Sequence, residues 1–277
     1  MKFAIFAKHL QSWPLETAVT NVREARFDGF DLTVRPGGYV EPQDLSRALP
    51  AAVKLIRAAG LEVPLLTTAL TSPTEPFAEA TLRAAADVGV REIKLGYWPY
   101  DGTMSIMRRT DDVNRDLDGF EKIARSAGVR VNIHNHSGDH VNNSPFTVAA
   151  LLRDRDPARV GCYFDAAHFT IEGGLSAWKH AVEILSPRIC LMAIKDNKWI
   201  DVPATMPSQE RRWVPVGSGN VHWPAVLGEI KKSGYDGWAS IHGEYQGRWT
   251  FREMTSAEVL QQCIADREVV SKIWHAL

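Results

Sequence analysis

Apolar and polar residues alternate along residues 129–138, which read Val-Arg-Val-Asn-Ile-His-Asn-His-Ser-Gly. A period of two residues is typical of a β-strand with one buried face. The other face carries Asn132, His134 and His136, and Ser137-Gly138 ends the extended segment. The pattern therefore predicts a strand with apolar packing behind it and two imidazoles at its carboxyl end, where parallel α/β folds bind their ligands.

Similar strand-like runs recur along the chain, and each is followed by a helix-like run. The repeat is about 35 residues long, as expected for one strand–helix unit of a barrel. The predicted strands cover residues 2–8, 28–35, 61–68, 91–97, the 129–138 stretch, 160–166, 188–196 and 237–243.

Capping residues mark several of the predicted helices. Ser144-Pro145 is a strong helix start, with serine at the N-cap and proline at the first helical position. Residues 197–220 have no clear period, and a segment of this length in a compact domain is expected to be a functional lid. The predicted helices cover residues 14–27, the segment up to residue 59, 75–88, 110–127, 145–155, 175–185, 223–233 and 256–274.

The number of strand–helix units predicts a (β/α)8 TIM barrel that forms a single domain over residues 1–277. The chain has 277 residues, of which 45% are hydrophobic, and this is enough for one large core. A doubly wound open sheet is the main alternative. It usually has fewer units and a glycine-rich phosphate loop after an early strand, and Gly217-Ser218-Gly219 is too short and too late for such a loop.

Charge and composition exclude several classes of partner. The formal net charge is −1, so neither nucleic acid nor an anionic membrane is expected to bind. The three cysteines have neither disulfide nor zinc-ribbon spacing. No apolar run has the length of a membrane span, and the first residues lack the pattern of a signal peptide. We therefore expect a cytoplasmic protein.

Polar residues at the carboxyl ends of different barrel strands converge on one pocket. His134, Asp165 and His242 come from strands five, six and eight, and this set predicts a catalytic divalent metal ion with positions open to water and substrate. Two imidazoles favour Zn²⁺ or Mn²⁺ over Mg²⁺. The alternative is structural: Asp165 caps a turn or pairs with Lys195, and Lys195-Asp196 is an ion pair at a strand end.

The chain resembles the xylose isomerase-like TIM barrels, the sugar phosphate isomerase/epimerase group that includes the endonuclease IV branch. The resemblance covers nearly the whole chain. It rests on Phe6-Ala7-Lys8-His9-Leu10-Gln11, Asp31-Leu32-Thr33-Val34-Arg35-Pro36-Gly37-Gly38, Asn135-His136, Asp165-Ala166-Ala167-His168, Ile194-Lys195-Asp196 and Val216-Gly217-Ser218-Gly219.

The resemblance implies one divalent ion, held in that family by Glu, Asp, His and Glu on strands five to eight. The corresponding positions here are His134, Asp165, Ala193 and His242, so only the aspartate is unchanged. The family's two glutamates also transfer the proton, and an imidazole that binds a metal through its lone pair cannot replace them as a base. The resemblance also implies that His168 contacts substrate.

Other polar residues near the strand ends are candidates for catalysis and for substrate binding. We predict that His168, Glu244 and Lys195 are catalytic. Among the candidate bases that the predicted metal site does not use, His168 comes first because it follows Asp165 by three residues. Substrate hydroxyl, carboxylate or phosphate groups are expected to bind the remaining candidates: Lys8, Arg35, Lys94, His136 and Arg211.

The sequence favours a metal-dependent isomerase or epimerase, or an enolate-forming lyase, that acts on a small carbohydrate or keto sugar. A non-catalytic sugar-binding barrel is the first alternative, because both family glutamates are absent. An endonuclease IV-like nuclease is the second, although the near-neutral chain lacks the many zinc ligands that such chemistry uses. A homodimer is possible for a barrel of this group.

Overall fold

The structure is a computed structural model that describes residues 1–202 and 209–277. Within these ranges, eight parallel strands close into a barrel, and an antiparallel hairpin lies outside it. The hairpin consists of β8 (Asp196–Asp201) and β9 (Gln209–Val214). The barrel strands are β1 (Lys2–Phe6), β2 (Gly29–Thr33), β3 (Leu65–Thr67), β4 (Glu92–Lys94), β5 (Arg130–His134), β6 (Val160–Asp165), β7 (Ile189–Ile194) and β10 (Trp238–Ile241).

Helices connect the strands and form the outer layer. The strands follow the order β1-β10-β7-β6-β5-β4-β3-β2 around the barrel, which confirms the predicted (β/α)8 fold. No helix in the described ranges is long and apolar enough to cross a bilayer. The helices are α1 (Leu15–Glu24), α2 (Leu45–Ala58), α3 (Ala78–Asp87), α4 (Ile106–Ala127), α5 (Pro145–Leu152), α6 (Ala166–Gly173), α7 (Ala177–Leu185), α8 (Trp223–Lys232) and α9 (Ser256–Ala276).

Along β5, alternate side chains point to the hydrophobic core and to the interior of the barrel. Val131 and Ile133 are fully buried in the main hydrophobic core, which fills the space between strands and helices. The intervening side chains of Asn132 and His134 are also buried, but they face the polar interior of the barrel. The strand therefore positions chemistry on one face because it buries apolar side chains on the other.

Two elements differ from the sequence-based expectations. Residues 166–173 form α6, which was not predicted, because the carboxylate of Asp165 caps this short helix by accepting from the backbone N–H of His168. The predicted irregular segment 197–220 contains most of the β8–β9 hairpin, and its residues 203–208 lie outside the described part of the chain.

The base of the hairpin is held by one buried carboxylate. Asp196 accepts hydrogen bonds from the backbone N–H groups of Asn197, Gly217, Gly219 and Val221, at 2.8, 3.0, 3.3 and 3.1 Å. A Cβ atom on Gly219 would lie 2.2 Å from Oδ1 of Asp196, so this close approach requires glycine. The predicted ion pair between neighbouring Lys195 and Asp196 is not formed, because Asp196 serves these amides instead.

Candidate active site

A cavity of about 260 Å³ opens at the carboxyl ends of the barrel strands. It is slightly smaller than the range of about 300–1,000 Å³ typical of small-molecule sites. Arg211 and Trp249 also line a second cavity, of about 510 Å³, beside the hairpin. We call the first cavity the basin, and its lining residues are Phe6, Lys8, Arg35, Thr67, Lys94, Tyr97, His134, His136, Tyr163, Arg211, Trp213, His242, Trp249 and Glu244.

Three buried residues beside the basin bring possible metal-ligand atoms together. His134, Asp165 and His168 each offer one ligand atom, and these atoms lie within 4.8 Å of one another. Oδ2 of Asp165 is 3.1 Å from Nε2 of His134 and 3.7 Å from Nε2 of His168. We call these three residues the His-Asp-His cluster.

The backbone positions Asp165 at the centre of the cluster. It is the last residue of β6 and the N-cap of α6, so its Oδ1 accepts from the N–H of His168 at 3.0 Å while Oδ2 remains directed to the imidazoles. The side chain of Asn135 pairs with the Asp165 backbone at both its N–H and its carbonyl, at 2.8 and 2.9 Å. The Asn135 bonds hold the Asp165 backbone at the end of β6, and the cap of α6 fixes the direction of its carboxylate.

The hydrogen bonds of His134 define where its proton lies. Burial is the main cause that holds the pKa of His134 well below its ordinary value, and the positive charge of Lys195 is the second. The ring is therefore neutral. A carboxylate only accepts, and Nε2 of His134 therefore donates to Asp165. Nδ1 then accepts from the hydroxyl of Tyr97 at 3.1 Å.

His168 has the opposite proton arrangement. Burial, followed in size by the positive charge of Lys195, also holds the pKa of His168 well below its ordinary value. The ammonium of Lys195 only donates, so Nε2 of His168 accepts from it at 2.8 Å. Nδ1 then donates to Oγ of Ser137 at 2.8 Å, and the same Oγ accepts from Arg211 at 2.9 Å.

His242 belongs to a neighbouring group of side chains. Its Nε2 is 2.8 Å from the hydroxyl of Tyr163, which donates at 3.3 Å to Asp31, and its ring stacks on Phe6. The ring centroids of His134 and His242 are 5.8 Å apart. Nδ1 of His242 is buried and has no hydrogen-bond partner among the described residues, so one ring nitrogen remains available.

Asp31 forms the floor beneath this group. It is fully buried and accepts from Thr67 at 2.6 Å and from Ser240 at 2.9 Å. Burial raises the pKa of its carboxyl to about 6, against the opposing effect of these hydrogen bonds. The barrel interior thus carries a second carboxyl beneath the basin.

Glu244 is the carboxylate that lines the basin, and it contacts His9 and two lysines. Its Oε2 accepts from Nε2 of His9 at 3.1 Å and from Lys8 at 3.3 Å, while Oε1 is 3.8 Å from Nζ of Lys195. Burial raises the pKa of Glu244, but Lys195, His9 and Lys8 together outweigh that effect and hold it well below its ordinary value. Glu244 is therefore ionised at neutral pH.

The cations of the basin differ in their partners. Lys8 and Lys195 contact carboxylates, whereas Lys94 is buried and lies 3.6 Å above the ring of Tyr97 without an acidic partner among the described residues. Burial, followed in size by the positive charge of Arg35, lowers the pKa of Lys94 well below its ordinary value. Arg35 and Arg211 complete a cationic lining suited to hydroxyl or anionic groups.

The predicted site residues all lie in or beside the basin. The structure brings His134 and Asp165 together, adds His168 to them, and places His242 on Tyr163 instead; its role as a metal ligand stays a prediction. Both structural readings of Asp165 are also present, since it caps α6 and contacts Lys195 at 3.2 Å. His136 lies between Tyr97 and His168, with ring centroids 4.2 and 4.1 Å away.

Sequence reasoning missed Tyr97, His9 and Trp249. Strand alternation over residues 91–97 places Tyr97 on the face opposite Lys94, but β4 ends at Lys94 and the alternation no longer applies three residues later. His9 lies in a 3₁₀ turn, Ala7–Leu10, directly after β1. Its position in the quoted first-strand motif was the available signal.

Comparison with known proteins identifies the family. The family described as xylose isomerase-like TIM barrel matches residues 19–263. The chain belongs to this family. An uncharacterized protein of Methanocaldococcus jannaschii, MJ1311, is 19% identical over 255 residues, which are 88% of this chain and 84% of that protein.

Solved structures share the whole fold. The IolI protein with a bound zinc atom has a TM-score of 0.77 at 17% identity, and covers 99% of both chains. D-Psicose 3-epimerase of Clostridium cellulolyticum H10, with D-tagatose, has a TM-score of 0.75 at 14% identity, also over 99% of both chains. A xylose isomerase-like protein of Mycobacterium smegmatis in complex with magnesium has a TM-score of 0.72 at 16% identity, over 99% of this chain and 97% of that one. At these identities the likeness establishes the fold.

The His-Asp-His cluster fits a divalent ion by donor type and spacing. Two imidazole nitrogens and a carboxylate oxygen are common ligands of such ions, and all three are buried. Their present hydrogen bonds are nevertheless complete. Binding through Nε2 requires His134 to move its proton to Nδ1 and His168 to release Lys195.

Proposed function

We propose that this chain is an isomerase or epimerase of small keto sugars, or a lyase that forms the same type of enolate. The observation that carries the proposal is a small basin lined by His134 and ionised Glu244, with Asp165 in contact with His134 and Lys195 in contact with both carboxylates. Enolate chemistry needs a base, a group that stabilises the developing oxyanion, and donors that orient hydroxyl groups. The basin offers all three.

Glu244 is the proposed base, and Lys195 is the proposed group that stabilises the developing oxyanion. The carboxylate of Glu244 lines the basin in its ionised form and accepts the proton next to the substrate carbonyl. Lys195, with Nζ 3.8 Å away, donates a hydrogen bond to the oxygen on which negative charge develops. His168 is the second candidate base only when no ion is bound, because an imidazole that coordinates an ion through its lone pair cannot accept a proton. It acts only after Lys195 leaves its Nε2.

A divalent ion in this proposal is held by His134, Asp165 and His168, with His242 as a further candidate ligand. Such an ion, when bound, polarises a carbonyl oxygen. Zn²⁺ or Mn²⁺ is favoured over Mg²⁺ because most of the ligand atoms are imidazole nitrogens. Substrate orientation falls to the cations Lys8, Arg35, Lys94 and Arg211, together with His136.

A substrate panel tests the proposal. Ketoses, sugar acids and 3-keto sugars are incubated with the wild-type protein, with and without Zn²⁺ or Mn²⁺, and products are followed by NMR. We expect turnover of at least one keto sugar, reduced about 100-fold or more in Glu244→Gln and in Asp165→Asn. Ligand-induced stabilisation without product across the panel would instead support the non-catalytic sugar-binding barrel.

A further inference from the structure

The ammonium of Lys195 is placed where a metal ion would use the cluster. Its Nζ is 2.8 Å from Nε2 of His168 and 3.2 Å from Oδ2 of Asp165, the two atoms that face each other at 3.7 Å. The side chain of Lys195 is 4% exposed, so water does not replace these contacts. One cation of the chain itself thus bridges two of the three ligand residues.

A metal ion and the ammonium of Lys195 compete for the lone pair on Nε2 of His168. A ring nitrogen has a single lone pair, and that of His168 Nε2 already accepts an N–H of Lys195. The other nitrogen of His168 bonds to Ser137, so it offers no second ligand atom without breaking that bond. Coordination by His168 through Nε2 therefore requires Lys195 to leave.

Lys195, the residue that follows β7, supplies this cation, and β7 itself supplies no ligand atom. Ala193, which lies opposite Asp165 in the strand register, has no donor, and Lys195 follows two residues later towards the same face. Oε1 of Glu244, 3.8 Å from Nζ, is the nearest other carboxylate oxygen to which the ammonium can turn. The ammonium therefore has two acidic neighbours, one inside the cluster and one outside it.

We propose that Lys195 is an internal competitor for the divalent ion and sets the metal affinity of the His-Asp-His cluster. With Lys195 on Asp165 and His168 the cluster is complete without a metal, and an ion binds only by displacing the ammonium towards Glu244. This inference deepens the proposed function, because it concerns the metal site of that same basin.

Titration of Zn²⁺ and of Mn²⁺ into purified protein, followed by calorimetry, tests the competition directly. We expect Lys195→Met to bind these ions about tenfold more tightly or better than the wild type, because no hydrogen bond to a charged group has to be broken. Lys195→Gln, which is polar but uncharged, serves as a second variant if the methionine protein does not fold. Adding His168→Ala to either variant is expected to remove the gain.

Lys94→Met is the matched control. It removes a buried lysine amine that lines the basin, but Lys94 contacts neither Asp165 nor the cluster histidines among the described residues. Its gain in affinity is expected to stay below about threefold, since no hydrogen bond to a ligand residue is removed and only weak through-space effects change. The proposal is overturned if Lys195 variants bind no more tightly than the wild type, or if Lys94→Met gains as much. Neither result depends on turnover, so the outcome is separate from that of the substrate panel.

Discussion

Among single residues, Asp165 has the most interactions to satisfy. One oxygen caps α6, and the other contacts His134 and Lys195. A buried carboxylate is tolerated only when it is paired and hydrogen-bonded, and here the backbone, an imidazole and an ammonium all contribute. The same contacts that stabilise the fold hold the candidate site in position.

Replacing Asp165 by Asn is therefore expected to destabilise the protein. The variant keeps the volume of the side chain but leaves the buried ammonium of Lys195 without its contacting carboxylate. We expect a loss of about 3 kcal/mol in the free energy of unfolding, measured by urea denaturation. Asp165→Asn combined with Lys195→Met is expected to recover part of it, and a loss of less than about 1 kcal/mol in the single variant would show that the pair is not buried in this way.

Asp266 gives a pH-dependent prediction away from the basin. Burial raises its pKa to about 6, while Tyr245, Gln262 and the N–H of Val216 bond to it. The folded state then binds more protons than the unfolded state between about pH 4 and 6, so this group makes the protein less stable as the pH rises through that window. The wild type is expected to lose up to about 3 kcal/mol relative to Asp266→Asn between pH 4 and 7. Equal pH dependence of unfolding in both proteins would contradict the buried state of this carboxyl.

Among the elements, recurring strand-like apolar runs, some of them alternating, were sufficient to predict all eight barrel strands, because each strand buries apolar side chains against the helices. The hairpin and α6 were missed for a different reason. Both depend on a carboxylate near a strand end that accepts backbone N–H groups. Asp165 caps α6 through His168, and Asp196 accepts from Gly217 and Val221, 21 and 25 residues later. Hydrophobic periodicity contains no signal for such bonds.

Asp196→Ala tests the carboxylate that holds the hairpin. The substitution leaves four backbone N–H groups without their acceptor, and the strand pairing of β8 with β9 then lacks its anchor on the barrel. We expect destabilisation by more than about 3 kcal/mol and faster proteolytic cleavage within residues 197–220. Asp201→Ala, at the far end of β8, is the control and should leave cleavage within about twofold of the wild type. Unchanged cleavage in Asp196→Ala would show that the hairpin is held elsewhere.

At the scale of the whole molecule, strand order explains which site residues meet. β5, β6 and β7 are consecutive around the barrel, so Asp165 at the end of β6 contacts both His134 of β5 and Lys195, the residue after β7. His242, which follows β10, contacts Tyr163 of β6 across the barrel interior. The sequence correctly placed the polar residues at the strand ends. It did not distinguish His168 from His242 as the partner of Asp165, because that choice depends on the cap of α6 and on side-chain direction.

The most direct test of the account is the exchange of hydrogen with solvent. A keto sugar selected for binding is incubated with the protein in D₂O, and deuterium at the carbon next to the carbonyl is measured by NMR. We predict that the wild type incorporates deuterium and that Glu244→Gln does so about 100-fold more slowly or worse. A wild-type protein that binds the sugar but incorporates no deuterium would contradict proton transfer in the basin.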